Sequence, residues 1–368
     1  MEAQNSIESN VVSMEPLSII SDVLIHNITW APKGVDAVPM KRSTTFPAFR
    51  YSEALKKMTP HSSWAPVPVP EGKVFLEIEL GEQLGTGRIG LTYAVRIIRA
   101  RAGVDGPEIP LDTLGITFEL CAKVAKPYHC RSLAREAWVY ERLRAQDGYQ
   151  GVVVPRCYGF FTIPLLDCSD KLGHFLHSAL HVRPWREANV ELYKMEEERE
   201  EEDEEEDDRK STDREHFPSR DHLPTDKFNP RTLVDDCHKS KESSSWNTWN
   251  NDPEEPLLAV LLMERLGEPH EEDHPDIARG DLPLVLKDMV ESGVMQHDLR
   301  WNNVLHARED DDTICPRHKV KHLWRVIDFD RSLVAGVPLS ADDRRMMENE
   351  YNWAYTTSEF WTGRILDD

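Results

Sequence analysis

The stretch from Val294 to Leu305, VMQHDLRWNNVL, places His297, Asp298, Arg300, Asn302 and Asn303 in a short polar run enclosed by apolar residues. A turn needs only one or two such side chains. Asp298 and Asn303 stand five residues apart. In a loop braced by hydrophobic neighbours, that spacing lets a carboxylate accept a hydroxyl proton while an amide oxygen reaches a metal ion bound to phosphate. Arg300, between them, would balance charge on a transferred phosphoryl group. An isolated D-x-x-x-x-N arises often by chance, so its weight depends on the rest of the chain.

Three further groups suit the same chemistry. Gly85, Gly87 and Gly90 have G-x-G-x-x-G spacing. Glycines let a backbone approach phosphates and donate N–H groups to them. The residues that follow, LTYAVRII, are strand-like rather than helical, which predicts a glycine-rich hairpin instead of a dinucleotide-binding turn. Three glycines in a hairpin are also common without any ligand. Lys123 lies inside the apolar run LCAKV, where an unpaired ammonium is costly to bury. Glu136 has no basic residue three or four positions away, so it is available to a partner outside its helix. A Lys123–Glu136 pair would aim the lysine at phosphate oxygens; the alternatives are a lysine snorkelling from a strand edge, or Lys126 in its place. Asp328 ends the apolar run WRVIDFD and offers a hard oxygen ligand of the kind Mg²⁺ prefers, although a strand-ending aspartate also commonly caps a turn.

These residues need elements to position them. VFLEIEL from 74 to 80 alternates as a half-buried strand does, and GEQLGTGRIGLTYAVRII predicts a hairpin. ITFELCAKVAK (116–126) predicts another strand, and RSLAREAWVYERLRAQ (131–146) a helix with Leu133, Ala137, Tyr140 and Leu143 on one stripe. Strand patterns return at 152–163 and in PLLAVLLMERLG (256–267), and DLPLVLKDMVESG (281–293) predicts a helix. Each motif is unremarkable alone. Together they appear in one order, with the strand, helix and loop contexts that phosphoryl transfer requires.

Composition narrows the function classes. The formal charge of −22 is concentrated: EEEREEEDEEEDD, residues 196–208, carries −11 of it. The rest is mildly acidic, which argues against a nucleic-acid binder. The six cysteines, Cys121, Cys130, Cys157, Cys168, Cys237 and Cys315, lack the spacing of a disulfide framework and are expected to be reduced. Cys315 and His318 have a CxxH spacing, but no second pair lies nearby, which argues against zinc. The first residues contain no basic segment leading into an apolar stretch, and no run approaches the length needed to span a bilayer. The expectation is a soluble intracellular protein, of cytoplasm or nucleus, without a membrane partner.

With these residues in view, the sequence resembles the protein-kinase-like superfamily, and among it the fungal kinase-like proteins with a short C-lobe. LGTGRIG is similar to the glycine-rich loop, Lys123 to the phosphate-orienting lysine, Glu136 to its helix-C partner, and QHDLRWNN to the catalytic loop. Asp328-Phe329-Asp330 takes the place of D-F-G. The resemblance implies an α+β, bilobal fold: an N-lobe antiparallel sheet with helix C, and a reduced, mainly helical C-lobe. It implies ATP and Mg²⁺ as cofactors, Met263 as gatekeeper, and the backbone near Glu264 and Leu266 as the adenine contact. Asn303 and Asp328 become the metal ligands and Asp298 the base, with Lys123, Glu136 and Arg300 as catalytic partners. The implied activity is ATP-dependent transfer of phosphate to a protein Ser/Thr hydroxyl; a pseudokinase scaffold and a small-molecule kinase of aminoglycoside-phosphotransferase type are the alternatives.

The departures are specific. Gln296-His297-Asp298 stands for H-R-D, Cys121 for the alanine two before the lysine, Thr92 for a valine, and Asp330 for the glycine of D-F-G. Only 38 residues follow Asp330, with no A-P-E segment. The expected organisation is an N-terminal arm over 1–72, partly extended or disordered, an N-lobe over 73–164, an acidic low-complexity insertion over 165–252, and hinge plus C-lobe over 253–368.

Overall fold

Alternate residues of the run LLAVLLM face two different cores. Leu258, Val260 and Leu262 belong to one buried cluster, and Ala259, Leu261 and Met263 to another. Side chains alternate across a strand, so a strand covered on both faces reads as a continuous apolar run. The computed structural model describes residues 20–29, 37–45, 66–67, 69, 74–114, 116, 119–126, 129–144, 146, 148–168, 182–188, 246, 249, 257–269, 275–296, 298–335 and 338–356.

Seven strands close into a barrel. They are β1 (Ile20–His26), β2 (Ala37–Arg42), β3 (Val74–Thr86), β4 (Gly90–Ala102), β6 (Leu120–Ala125), β7 (Cys157–Pro164) and β8 (Leu257–Glu264), while the short β5 (Glu108–Ile109) hangs on β4. The order is β3-β1-β2-β7-β8-β6-β4, and β4 pairs back onto β3 to close the ring. Every pairing is antiparallel except β1 with β3. The interior is filled from all seven strands, with Val23, Val38, Ile78, Tyr93, Ala122, Phe161 and Val260 among its contributors.

The barrel's outer face along β6, β7 and β8 is covered by α1 (Cys130–Arg144), which is buried from Cys130 to Leu143. A short helix, α2 (183–188), inserts Trp185 into the interior cluster, and its indole N–H donates to the Ala125 carbonyl at 2.6 Å. Beyond β8 come α3 (Pro275–Ser292) and α4 (Ala341–Thr356). Between them lie β9 (Val294–Met295), β10 (Val304–His306), β11 (Trp324–Val326) and β12 (Leu333–Val334), paired β10 with β11 and β9 with β12. Among the described residues, no helix is long and apolar enough to cross a membrane.

This architecture corrects the expected one. A bilobal kinase-like fold has an open N-lobe sheet and a mainly helical C-lobe; the protein has a closed seven-strand barrel and, among its described residues, four helices. The physical reason lies at the N-terminal end. Segments 20–29 and 37–45 fall in the stretch expected as an arm, yet β1 and β2 fill the gap between β3 and β7 and so close the ring. Five of their apolar residues, Ile20, Val23, Ile25, Val38 and Met40, are at most 1% exposed. A closed sheet has no unpaired edges, which removes a template for association with other chains. Helix α2 lies within the stretch expected as an insertion; the acidic run at 196–208 lies outside the described residues.

If β1 is a full member of the barrel, truncating Ile25 leaves a cavity in a core that cannot easily collapse. Ile25→Ala should lower the unfolding free energy by about 2–5 kcal/mol in urea titration. A loss within about 0.5 kcal/mol, as for a loosely attached surface segment, would count against the closed ring.

Candidate functional site

A cavity of about 540 Å³ opens between the β3–β4 turn, the outer face of β6, and the β10–β11 ladder. The turn forms its roof. The Gly87 N–H donates to the Gly90 carbonyl at 2.9 Å. The three glycines have different reasons to be glycine. A Cβ on Gly90 would meet the Val124 carbonyl oxygen at 2.5 Å, so packing of β4 on β6 requires its absence. A Cβ on Gly85 would meet nothing within 4 Å, and one on Gly87 only the Gly90 oxygen at 3.8 Å. Both of these line the cavity, and nothing in the fold itself requires their bareness.

Lys123 lies on the outer face of β6, opposite Thr92 of β4 and Leu261 of β8. Its Nζ donates to Glu136 Oε2 at 2.7 Å and to Asp328 Oδ1 at 2.6 Å. Glu136 comes from α1 and is 1% exposed; Asp328 follows β11. Three remote segments therefore meet on one ammonium. Burial works against the charged lysine, but the two carboxylates outweigh it and hold the group well above its ordinary value. For Asp328, burial is likewise overcome by attraction to Lys123, leaving it below the usual carboxylate range. Burial dominates at Glu136, only partly relieved by Lys123, and the carboxyl is pushed up to about 8. Lys126, the other candidate, is not among the residues lining the cavity.

The turn carrying Asp328 is fastened at each residue. Asp328 itself has a left-handed backbone, φ 66°, which Asp tolerates better than most side chains. Phe329 packs edge-on against Tyr140 of α1 at 5.1 Å, one helical turn beyond Glu136. Asp330 pairs with Arg88 at the tip of the glycine turn. Asp330 is buried, and both that burial and the nearby Asp328 charge raise its pKa, with Arg88 offsetting part of the effect.

On the opposite wall stands the loop after β9. Gln296 fixes it: its side-chain NH₂ donates to the carbonyls of Asp328 at 2.9 Å and Ile327 at 3.3 Å, and its Oε1 accepts from the Asp298 N–H. Tyr351 of α4 accepts from the Gln296 N–H at 2.8 Å and donates to the Val294 carbonyl at 3.1 Å. Asn303 Nδ2 donates to the Asp298 carbonyl at 2.8 Å, while the β10–β11 ladder sets Asn303 beside Ile327. Arg300 reaches Asp298 Oδ1 through Nε and a terminal nitrogen, each at 2.6 Å. Met263, Glu264 and Leu266 line the remaining side. The Glu264 carboxylate turns away to Arg156 at 3.0 Å, its backbone N–H donates to the Arg156 carbonyl at 2.9 Å, and its carbonyl accepts from Cys121 Sγ at 3.5 Å. Among the described residues, the Leu266 N–H and carbonyl have no hydrogen-bond partner.

The chain matches no protein-family model and no curated protein. Together with the closed barrel, this overturns the resemblance to the protein-kinase-like superfamily as a statement of membership. The local geometry stands without it. Every sequence-predicted site residue lines the one cavity: Gly85, Gly87 and Gly90 above, Lys123 and Glu136 at the back, Met263, Glu264 and Leu266 at the side, and Asp298, Arg300, Asn303 and Asp328 opposite. His297 lies outside the described residues. Sequence reasoning did not single out Arg88, Gln296 or Tyr351 for a role, because each acts on a partner distant along the chain. The donor set of Asp328 carboxylate and Asn303 amide oxygen is hard, and with Asn303 Nδ2 committed to Asp298 its oxygen is left for a cation such as Mg²⁺.

The raised Glu136 pKa carries a sign. A carboxyl whose folded pKa lies above its ordinary value favours the protonated native state. Its stabilisation is fully present below 4.5 and is lost as pH rises through about 8. The difference in unfolding free energy between wild type and Glu136→Gln should therefore shrink from pH 4.5 to pH 8. A difference that is flat or grows over that window would contradict the assigned environment.

Proposed function

We propose that the cavity binds a nucleoside triphosphate, ATP in the first instance, with Mg²⁺, and transfers its terminal phosphoryl group to a hydroxyl, of which protein Ser/Thr is the favoured class. The observation that carries this reading is the Lys123 ammonium, held between Glu136 at 2.7 Å and Asp328 at 2.6 Å beneath a turn whose Gly85 and Gly87 leave open space. Phosphoryl transfer asks mainly for positioning and charge stabilisation. Lys123 supplies a fixed cation for phosphate oxygens, and the glycine turn supplies backbone N–H groups above them. The Leu266 amide and carbonyl, without a hydrogen-bond partner among the described residues, suit the donor and acceptor edge of a purine. Mg²⁺, held by Asp328 and Asn303, would neutralise charge on the phosphates.

Asp298 has the role of base. The acceptor oxygen forms its bond to the terminal phosphorus as the bond to the bridging oxygen breaks; the hydroxyl proton passes to Asp298 and the nucleoside diphosphate departs. Arg300 now occupies Asp298 Oδ1. For catalysis it must turn toward the phosphoryl group or share the carboxylate. That contact favours a second reading, in which the protein binds nucleotide as a scaffold and transfers nothing.

The two readings separate in one set of measurements. ATP with Mg²⁺ should raise the melting temperature of the full chain, the stabilisation reaching about 2.7 kcal/mol at a hundred times Kd. Lys123→Ala and Asp328→Asn should abolish the shift. Asp298→Asn should keep it and reduce Mg²⁺-dependent phosphotransfer to a mixed Ser/Thr peptide library by about 10²–10⁴-fold. Binding without transfer in wild type supports the scaffold; no thermal shift at all sinks both readings.

A further inference from the structure

A second cluster lies behind the β10–β11 ladder. Asp288 of α3 meets Cys315, His318 and His322 from the segment between β10 and β11, and their four ligand atoms lie within 4.8 Å of one another. Cys315, His322 and Asp288 are at most 1% exposed, and His318 is half-buried. The CxxH spacing of Cys315 and His318 thus has its second pair, His322 four residues further on and Asp288 from the helix. We infer that these four side chains form a structural zinc site.

The distances support a coordination sphere better than a hydrogen-bond network. Cys315 Sγ is 3.3 Å from Asp288 Oδ2 and 3.7 Å from His318 Nδ1. His318 Nδ1 is 3.3 Å from His322 Nε2, and these two nitrogens lie 3.4 and 3.5 Å from Asp288 Oδ2. Tetrahedral zinc with its usual bond lengths to sulfur, nitrogen and oxygen separates its ligand atoms by about 3.3–3.6 Å. Ordinary N–H···O bonds are about 2.7–3.2 Å. Two facing ring nitrogens cannot both be protonated and also bond each other. A cation at the centre satisfies them both, along with the thiolate.

The surroundings fit the same assignment. His322 Nδ1 contacts Asp281 Oδ1 at 2.6 Å, which fixes the ring with Nε2 toward the cluster, as outer carboxylates do for metal-bound histidines. The His318 backbone N–H points to Cys315 Sγ at 3.5 Å, and Arg317 grips the Asp288 carboxylate through both oxygens, Nε to Oδ1 at 2.7 Å and a terminal nitrogen to Oδ2 at 3.0 Å, which fixes the orientation of Oδ2 toward the cluster. Thiolate plus imidazole selects zinc over magnesium, and four protein ligands leave no open position for catalysis. The site ties the β10–β11 segment to α3. That ladder carries Asn303 and Asp328 at its other end, so the metal would stiffen the wall of the cavity without entering it.

Cobalt and zinc are the probes. The full wild-type chain, mixed with excess Zn²⁺ and buffer-exchanged, should retain one equivalent by elemental analysis. With Co²⁺ it should show the strong visible bands of a tetrahedral site and a near-ultraviolet thiolate charge-transfer band. Cys315→Ser should lose that band, whereas Cys168→Ser, in the barrel interior, should keep it. Asp281→Asn should weaken zinc by about 10–100-fold. Wild type that retains no zinc, a pale octahedral cobalt spectrum, or a charge-transfer band surviving in Cys315→Ser would each overturn the assignment. Because the wild-type spectrum decides alone, the test stands even if a variant fails to fold.

Discussion

A single buried ammonium organises the cavity. Lys123 sits on a strand whose other face lines the barrel interior, so it cannot leave without unpairing β6 from β4 and β8. Its charge must be met where it stands. Glu136 meets it from α1 and Asp328 from the turn after β11, which fixes the helix and the turn relative to the barrel. Removing one partner of such a buried pair costs about 3–5 kcal/mol, because the other charge is left uncompensated. Burial is the main cause of the raised pKa values of Glu136 and Asp330, and the negative charge of Asp328 adds to it.

The remaining contacts transmit this constraint outward. Phe329 against Tyr140 makes the turn's hydrophobic residue part of the same core as α1. Gln296 joins the Asp298 loop to the carbonyls of Ile327 and Asp328, and Tyr351 fastens Gln296 from the last described helix. The chain's late elements are therefore needed for the wall opposite Lys123. The roof is held by Arg88 on Asp330, by the Lys126 N–H on the Ile89 carbonyl at 2.8 Å and by the buried Ile89 side chain, with Gly85 and Gly87 free of packing demands.

Much of the site was legible because its logic is local and chemical. A lysine in LCAKV demands an anion, and Glu136, without a basic neighbour on its own helix, is available to supply one. Strand and helix patterns at 74–102, 120–144 and 257–264 follow from apolar periodicity. The architecture was not legible, because ring closure is a long-range fact. β1 and β2 are only seven and six residues long, sit in mixed polar sequence, and pair with strands remote along the chain. Nothing in SIISDVLI distinguishes a barrel strand from an apolar arm. Asp288 was hidden for the same reason: one carboxylate on a helix acquires meaning only when folding brings Cys315, His318 and His322 to it.

A closed barrel also limits how the cavity can work. An open sheet can flex along its edges, whereas a ring of seven paired strands resists shear at every seam. Whatever enters the cavity meets a back wall, β6 and β8, that is buried on both faces and does not yield. The glycine turn above carries the Arg88–Asp330 pair beside the buried Ile89, and the wall opposite carries the Asp298–Arg300 pair beside the buried Leu299. An arginine that pairs with a carboxylate can pair equally well with phosphate. Arg88 and Arg300 thus present two sides of the cavity with ion pairs of a kind an anionic ligand could replace, while Lys123 stays anchored between its two carboxylates.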